Sequence, residues 1–285
     1  MNGDAQAAIA FMNAQAIEDP DFYCKFQVDE EGWLANLFWS DSDSLYDYTC
    51  FGDVLIFDAT YKTNIYNRPL AVFVGTNNHL STMFLLVHYW LMSTLTLTIG
   101  FYKTFLTSMK EKKPACILTD GNDAMCKAIV GVLPKSRHRV CSWHVGNNLF
   151  DKIKDEGTRA DFGDCIYSSW SVDEWEVAWQ TMVDKYDLAD NPWIQQMYRK
   201  RERWAETYFS GHFFGGMTST QRCEGMNKNL KAGIGTYSKI YEILPRIERT
   251  LKRMRNDARK DDLIAKIEPQ FWQLICVHWK TRWQK

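Results

Sequence analysis

The sequence predicts an α/β protein in which a mixed β-sheet is followed by a long, mostly helical region. Two observations lead to this prediction. Between residues 53 and 150, short apolar runs bounded by turn residues alternate with segments of helical periodicity in the order β-β-β-α-β-α-β-α. That order is typical of a sheet with strands in both directions and helices packed on it. From residue 151 onwards the pattern is almost entirely helical.

The first 50 residues precede the sheet core and predict one helix and one hairpin. Residues 4–17 are rich in Ala, Met and Gln and favour a short helix. The strand patterns FYCKFQVD and WLANLFW flank a DEEG turn, which predicts a β-hairpin. Residues 43–50 are polar and fit either a helix or a linker.

The sheet core is predicted to contain five strands and three helices. The strands are apolar runs that end in turn residues: 54–61, 70–78, 82–90, 115–121 and 137–143. The helices have apolar residues at spacings of three and four: 100–113, 122–133 and 144–154. Asn122 or Asp123 is predicted to cap the second of these helices.

The stretch 80–99 needs separate interpretation, because no Asp, Glu, Lys or Arg occurs between Arg68 and Lys103. It is long enough to span a bilayer. However, it contains His88 and six Ser or Thr residues, and acidic segments lie on both sides of it in the chain. We favour buried central strands over a membrane span, since strands buried on both faces have this composition.

The helical region has recognisable helix starts. Residues 171–186 open with a Ser-Val-Asp-Glu capping pattern, and residues 191–209 carry Pro in their first turn. Residues 237–262 form a long basic helix in which Pro245 is expected to introduce a kink.

The formal net charge of −1 conceals a strong segregation of charge along the chain. Residues 1–60 carry twelve acids and one base, and residues 151–198 carry eleven acids and four bases. By contrast, residues 61–150 carry ten bases and three acids, and residues 199–260 carry fifteen bases and six acids. Such blocks either create faces that attract a charged partner or neutralise one another across the fold.

The cysteines and the N-terminus indicate a compartment. Eight cysteines are scattered without a C-x-x-C pair, and the first residues lack a basic segment followed by an apolar one. We therefore expect a reducing, intracellular environment.

Two predicted strands end in an aspartate, and this suggests a metal site. Asp58 follows VLIF and Asp120 follows ACILT. Reactive groups collect at the carboxyl ends of strands in α/β sheets, and Mg²⁺ is held by one or two carboxylates. Glu224, which opens a helix carrying Lys228 and Lys231, is a candidate third carboxylate. The alternative is ordinary turn chemistry for the two aspartates and a solvated helix position for Glu224.

Cys141 and His144 form a C-x-x-H pair, and thiolate and imidazole are good zinc ligands. A structural zinc site needs four ligands, and no second Cys/His pair lies at matching spacing. His138 is nearby in a strand of unknown geometry. The alternative is a buried cysteine and a hydrogen-bonded histidine at a strand–helix junction.

Taken together, three motif regions resemble the transposase domain of Mutator-like elements (MULE). They are GDVLIFDATYKTNIYNRPLAVFVGTNNH, ILTDGNDAMCKAIVGVLPKSRHRVCSWHVGNN and TSTQRCEGMN. The preceding segment, QVDEEGWLANLFWSDSDSLYDYTCFGD, resembles the plant far-red-impaired-response family, which derives from such transposases. The resemblance extends from about residue 3 to residue 265.

The resemblance implies an RNase H-like fold with a helical insertion between the second and third acidic positions. Asp58, Asp120 and Glu224 then occupy the places of the family's D-D-E triad, which holds Mg²⁺ or Mn²⁺ in active members. Cys141 and His144 match the family's C-x-x-H motif.

The implied organisation has four parts: 1–50 leading into the core, 51–150 as the first part of the core, 151–215 as the insertion, and 216–285 as the return to the core with basic helices. The N-terminal zinc-finger module and the C-terminal SWIM zinc finger of full-length family members are not expected in these 285 residues.

Three functional hypotheses follow. The first is a nuclear DNA-associated regulator of transcription without turnover, as in domesticated family members, with DNA contacts expected from Lys228, Lys231, Arg249, Lys252 and Arg253. The second is an active metal-dependent DNA transposase or nuclease. The third is a module for homo- or hetero-dimerisation through the aromatic-rich helices, against which stands packing of the tryptophans in a core.

Overall fold

The computed structural model describes residues 3–60, 70–89, 95–231 and 237–267, and within them helices and one β-sheet form a mixed α/β fold. The predicted fold class is confirmed at this level. The strands are β1 (Tyr23–Val28), β2 (Leu34–Ser40), β3 (Val54–Thr60), β4 (Leu70–Thr76), β5 (Thr82–Tyr89), β6 (Cys116–Thr119) and β7 (Arg137–Val140). The helices are α1 (Gly3–Glu18), α2 (Ser42–Phe51), α3 (Leu95–Ser108), α4 (Asp123–Val132), α5 (Ser142–Lys152), α6 (Glu156–Tyr167), α7 (Val172–Lys185), α8 (Pro192–Arg199), α9 (Gln221–Lys231) and α10 (Ile240–Ile267).

The sheet has seven strands in the order β1-β2-β5-β4-β3-β6-β7. In this order, each neighbouring pair from β1 through β2, β5 and β4 to β3 is antiparallel. Strands β3, β6 and β7 are parallel to one another. The predicted hairpin and the predicted order β-β-β-α-β-α-β-α are both confirmed. Because β3, β6 and β7 are parallel, their carboxyl ends lie along one edge of the sheet.

Alternation along β3 assigns its side chains to two hydrophobic layers. Val54 and Ile56 pack into the layer that contains α1, α9 and α10. Leu55 and Phe57 pack into the opposite layer, with α3 and α4. Since successive strand residues point to opposite faces, Asp58 is on the same face as Ile56, towards α9.

Two predicted helix starts are confirmed by their hydrogen bonds. The Asn122 side chain accepts from the N–H groups of Ala124 and Met125 and so caps α4. Ser171 and Glu174 form a reciprocal capping box at the start of α7.

The prediction for α3 is wrong at both ends. This helix spans Leu95–Ser108 rather than 100–113, so residues 95–99, which the predicted helix left out, are helical. The helix buries an apolar stripe at helical spacing, which includes Phe101 and Phe105, against β3 and β4. It ends early because Lys110 and Glu111 adopt left-handed backbone conformations, with φ +50° and +64°. Beyond this turn, Lys112 Nζ donates to the carbonyls of Tyr48 and Thr49 at the end of α2.

The single helix predicted at 191–209 is also wrong. Helix α8 ends at Arg199, and two 3₁₀ turns follow at Arg201–Arg203 and Glu206–Phe209. Trp204 is buried, and its indole Nε1 donates to the carbonyl of Met197 at 3.0 Å. Arg201 leaves the helical path and donates from Nε to Glu176 on α7 at 2.8 Å. The Trp204 indole and the N–H of Lys200 bond the Met197 carbonyl, which the N–H of Arg201 would bond in a continued helix.

The helices from α5 to α8 enclose an aromatic core of their own. Trp175, Trp179 and Trp204 are 0%, 4% and 1% exposed, and the rings of Trp175 and Trp179 stack at 5.2 Å. These three tryptophans therefore pack inside the molecule, as the alternative to the dimerisation hypothesis expected.

No helix within the described ranges has both the length and the apolarity required to cross a membrane. Residues 80–99 are divided between β5, a part outside the described residues and the start of α3.

Candidate functional site

Asp58, Asp120 and Cys141 form a row across three neighbouring parallel strands. The register pairs Ile56 with Leu118, and two further residues along both strands place Asp58 level with Asp120. On the other side, Thr119 pairs with Val140, so Asp120 is level with Cys141. The N–H of Cys141 still donates to the carbonyl of Thr119 at 2.8 Å, which supports this continuation.

The turn after β6 exposes Asp120 at this edge. Its Oδ1 accepts a hydrogen bond from the N–H of Asn122 at 3.1 Å, as expected of an aspartate that begins a turn. Gly121 has φ +88°, and a Cβ atom there would lie 2.6 Å from Val140. Glycine is therefore required at this position both for its backbone conformation and for the close approach of β7.

Helix α9 crosses this row and is attached to it at two points, before its first residue and near its middle. Thr220, which precedes the helix, donates to the Cys141 sulfur from its N–H at 3.3 Å and from Oγ1 at 3.5 Å. Asn227 donates from Nδ2 to Asp58 Oδ2 at 3.4 Å. Seven residues of α-helix rise by ~10 Å, which matches the ~10 Å between strands two places apart. Glu224 lies between these attachments, so the helix carries it across the strand of Asp120.

Cys141 and His144 influence each other where β7 joins α5. Burial alone raises the pKa of the Cys141 thiol, but hydrogen bonding of the thiolate to His144 and Thr220 outweighs it and lowers the pKa. The pKa of His144 is raised, chiefly by hydrogen bonding to Cys141, and the charges of Asp120 and Asp58 add to this. The pair therefore favours thiolate with imidazolium more than either residue would alone.

The site contains a second cysteine. Cys223 is fully buried on α9, and burial raises the pKa of its thiol well above the ordinary value. The negative charges of Asp58, Glu224 and Cys141 raise it further. One side chain thus experiences the fields of three of the predicted site residues.

The three carboxylates differ in exposure, and they do not form a closed cluster. Asp58 is 9% exposed, Asp120 is intermediate and Glu224 is exposed. Among the described residues, no group of three or more His, Cys, Asp or Glu side chains is placed to hold a metal ion. The backbone positions of the three acidic residues therefore resemble those of a D-D-E site, but their side chains do not converge on one point.

His138 has a structural role. It is buried, its Nε2 lies 2.9 Å from Thr119 Oγ1, and burial together with the charge of Arg203 lowers its pKa to about 3. The ring is therefore neutral at ordinary pH.

The residues predicted to contact DNA lie on two helices that pack against the same face of the sheet. Lys228 is exposed on α9, and the side chain of Lys231 falls outside the described residues. Arg249, Lys252 and Arg253 are exposed on α10.

Two bases of α10, one of them the predicted DNA contact Lys252, are already paired with acids. Arg255 binds Asp41 through both of its terminal nitrogens, at 2.7 and 2.6 Å, and lies 3.4 Å from Asp43. Lys252 pairs with Glu248 one helical turn earlier at 2.7 Å. The pairing of Arg255 with Asp41 thus neutralises part of the positive charge of the C-terminal block with acids of the N-terminal block. Arg249 and Arg253 make no ion pair with the described residues.

Sequence reasoning missed Thr220 and Asn227, the two residues that attach α9 to the row. A usable signal was present, because the two are seven residues apart and Asn227 follows Glu224 by three, so all three are near one helix face.

Comparisons with known proteins agree with the predicted resemblance. Residues 54–148 match the model of the MULE transposase domain. This segment contains Asp58, Asp120, Cys141 and His144 and ends before Glu224.

Similar proteins of Arabidopsis thaliana cover most of the chain. Protein FAR1-RELATED SEQUENCE 5 is 29% identical over 265 residues, which is 88% of this chain and 34% of that protein. Protein FAR1-RELATED SEQUENCE 4 is 34% identical over 79% of this chain and 31% of its own length. Protein FAR-RED IMPAIRED RESPONSE 1 is 32% identical over 79% of this chain and 28% of its own length.

The chain spans about a third of the length of these relatives. It is a homologue of the FAR-RED IMPAIRED RESPONSE 1 and FAR1-RELATED SEQUENCE proteins, with a MULE transposase domain at residues 54–148.

Proposed function

We propose that this chain is the core of a domesticated MULE-type protein that associates with DNA in the nucleus and regulates transcription without cleaving strands. The observation that carries the proposal is the MULE match together with the exposed basic residues of α10. Exposed Lys and Arg side chains on a helix neutralise phosphates and release counterions.

An RNase H-like fold is part of this proposal. Strands β5, β4 and β3 are antiparallel neighbours, and β6 and β7 continue the sheet in parallel with β3. This order of three antiparallel and two parallel strands supports the fold that the family resemblance implies. The hairpin β1–β2 extends the sheet at the β5 edge.

A salt titration of DNA affinity tests the proposal. Replacing Arg249, Lys252 and Arg253 together with Ala is expected to weaken binding to duplex DNA. It should also reduce the slope of log affinity against log salt by about 2–3, because up to three phosphate contacts are lost. Fluorescence anisotropy of a labelled duplex across a KCl series, with EDTA present, measures both quantities.

The matched control removes the same number of charges from the opposite face of the sheet. Lys103, Lys113 and Lys127 are exposed on or near α3 and α4. Their replacement by Ala should leave the slope unchanged. Equal effects of the two triple variants, or wild-type binding without salt sensitivity, would contradict direct DNA contact through α10.

The alignment of Asp58 with Asp120 favours metal-dependent DNA strand cleavage as a second candidate. A bound Mg²⁺ or Mn²⁺ would supply charge stabilisation and lower the pKa of an attacking water. The residues present fit such a cation in part: two carboxylates are level at the sheet edge, and Asn227 Oδ1 is a buried acceptor without a hydrogen-bond partner in the described structure. Asp58 and Asp120 would hold the ion, while Glu224 would need to turn inwards from its exposed position.

Cleavage separates the two candidates. If the second is correct, wild-type protein nicks supercoiled plasmid in Mn²⁺, and Asp58→Asn abolishes nicking while leaving DNA affinity intact. Nicking that persists in Asp58→Asn would place the activity elsewhere, and the absence of nicking in the wild type would support the first candidate.

A further inference from the structure

We infer that Asn227 forms a divalent-cation site with Asp58, in which it positions the carboxylate and contributes its own amide oxygen. The inference rests on the cation of the second candidate function and assigns Asn227 a role at that cation, and it is tested by binding alone, without DNA or turnover.

The contact between the two side chains is buried. Asn227 is 5% exposed and Asp58 is 9% exposed, and Asn227 Nδ2 donates to Asp58 Oδ2 at 3.4 Å. A buried carboxylate accepts such donors strongly, because it has been removed from water. Asn227 therefore helps to orient the Asp58 carboxylate, of which it contacts Oδ2.

The other end of the same amide group has no assigned role. Asn227 Oδ1 is buried and has no hydrogen-bond partner among the described residues. A buried acceptor left in this state costs about 1–3 kcal/mol, and such atoms in native proteins often mark the place of a water or an ion. Amide and carboxylate oxygens are both suitable ligands for Mg²⁺, Mn²⁺ or Ca²⁺.

Charge and geometry also favour Asn227 over Glu224 as the partner of Asp58. Glu224 is exposed, whereas Asn227 lies one helical turn later on the part of α9 that faces β3. With Asp120 level on the next strand, Asp58 and Asp120 supply two negative charges and Asn227 supplies a neutral oxygen. That set balances one divalent ion without requiring a third buried charge.

The test is a titration of the full 285-residue chain with Mn²⁺, in which the electron paramagnetic resonance signal of free Mn²⁺ reports how much remains unbound. Asn227→Ala is expected to weaken Mn²⁺ binding by at least about tenfold, as loss of a ligand or its supporting partner typically does. Asn229→Ala is the matched control on the same helix, since Asn229 is exposed, and it should bind Mn²⁺ like the wild type. Asp58→Asn should abolish binding.

Asn227→Asp distinguishes a ligand from a residue that only supports packing. The substitution keeps the size of the side chain and its oxygen but places a second negative charge beside Asp58. Without metal this variant should be less stable than the wild type, and Mn²⁺ should raise its melting temperature by more than it raises that of the wild type. Because it preserves shape, it decides the question even if Asn227→Ala fails to fold by circular dichroism.

Three results would overturn the inference: no Mn²⁺ uptake by the wild type at millimolar metal, wild-type uptake by Asn227→Ala, or no gain in melting temperature for Asn227→Asp in Mn²⁺. The DNA affinity is measured in EDTA, where no divalent cation is bound. None of these three results therefore bears on DNA binding, and that part of the proposed function is tested separately.

Discussion

Replacing Arg139 with Met is expected to lower the free energy of unfolding by about 3 kcal/mol, since it leaves a partly buried carboxylate without its charge partner. Arg139 is 2% exposed and pairs with Glu206 in the 3₁₀ turn after α8. Its guanidinium also lies 4.6 Å from the centre of the Phe209 ring. One side chain thus joins β7, the edge strand next to the candidate site, to the helical region.

Urea unfolding followed by circular dichroism measures the loss, and an exposed ion pair provides the control. Lys185 and Asp161 are 3.0 Å apart and are 55% and 35% exposed, so Lys185→Met should cost far less than Arg139→Met. Adding Glu206→Gln to Arg139→Met should recover part of the loss, because the uncompensated charge is then removed. Similar costs for Arg139→Met and Lys185→Met would show that the buried pair contributes no more than a surface pair.

Replacing Trp175 with Ala is expected to cost about 3–5 kcal/mol, the range for truncating a fully buried large aromatic residue. Trp175 is 0% exposed, and its ring packs against those of Trp179 and Trp204 at centroid distances of 5.2 and 5.8 Å. Its indole Nε1 also donates to the carbonyl of Cys165 at 2.8 Å, and truncation leaves that buried acceptor without this donor.

Trp143 is the matched control for this prediction, because it is the same residue type but 51% exposed on α5. Trp143→Ala should change the unfolding free energy by well under half as much. The aromatic cluster would not be the stabilising core of the helical region if both substitutions had the same effect in thermal or chemical unfolding.

The general plan of the sheet could be predicted from local pattern, and the ends of several elements could not. Apolar runs bounded by turn residues identify the strands, and Asp120 follows β6 at the carboxyl edge as predicted. Asp58 was predicted to end its strand, but it lies inside β3 and pairs with Val72, because β3 continues to Thr60 beside β4. By contrast, the turn that follows the end of α3 is held by Lys112, which bonds Tyr48 on α2 at a sequence separation of 64. A contact between residues so far apart leaves no periodic signal in the segment itself.

The candidate site was predicted in outline for a similar reason. Aspartate, cysteine and histidine are recognisable candidates for a site because their side chains bind metals and protons. Asp58, Asp120, Cys141 and His144 could therefore be predicted as site residues. Asn227 is neutral and common in helices, and its importance depends on which residues of α9 face β3. That choice is made by the way the helix crosses the strands, which is a property of the assembled layer rather than of the segment.

The attachment of Thr220 to Cys141 has a consequence for the order of folding. These residues are 79 positions apart, and the helices that carry the tryptophan core lie between them in the chain. Closing a flexible loop of this length opposes the contact by chain entropy, whereas prior folding of the intervening helices brings its ends together. We therefore expect the helical region to become compact first and α9 to pack against the sheet late. Slow formation of the tryptophan core would then delay formation of the candidate site.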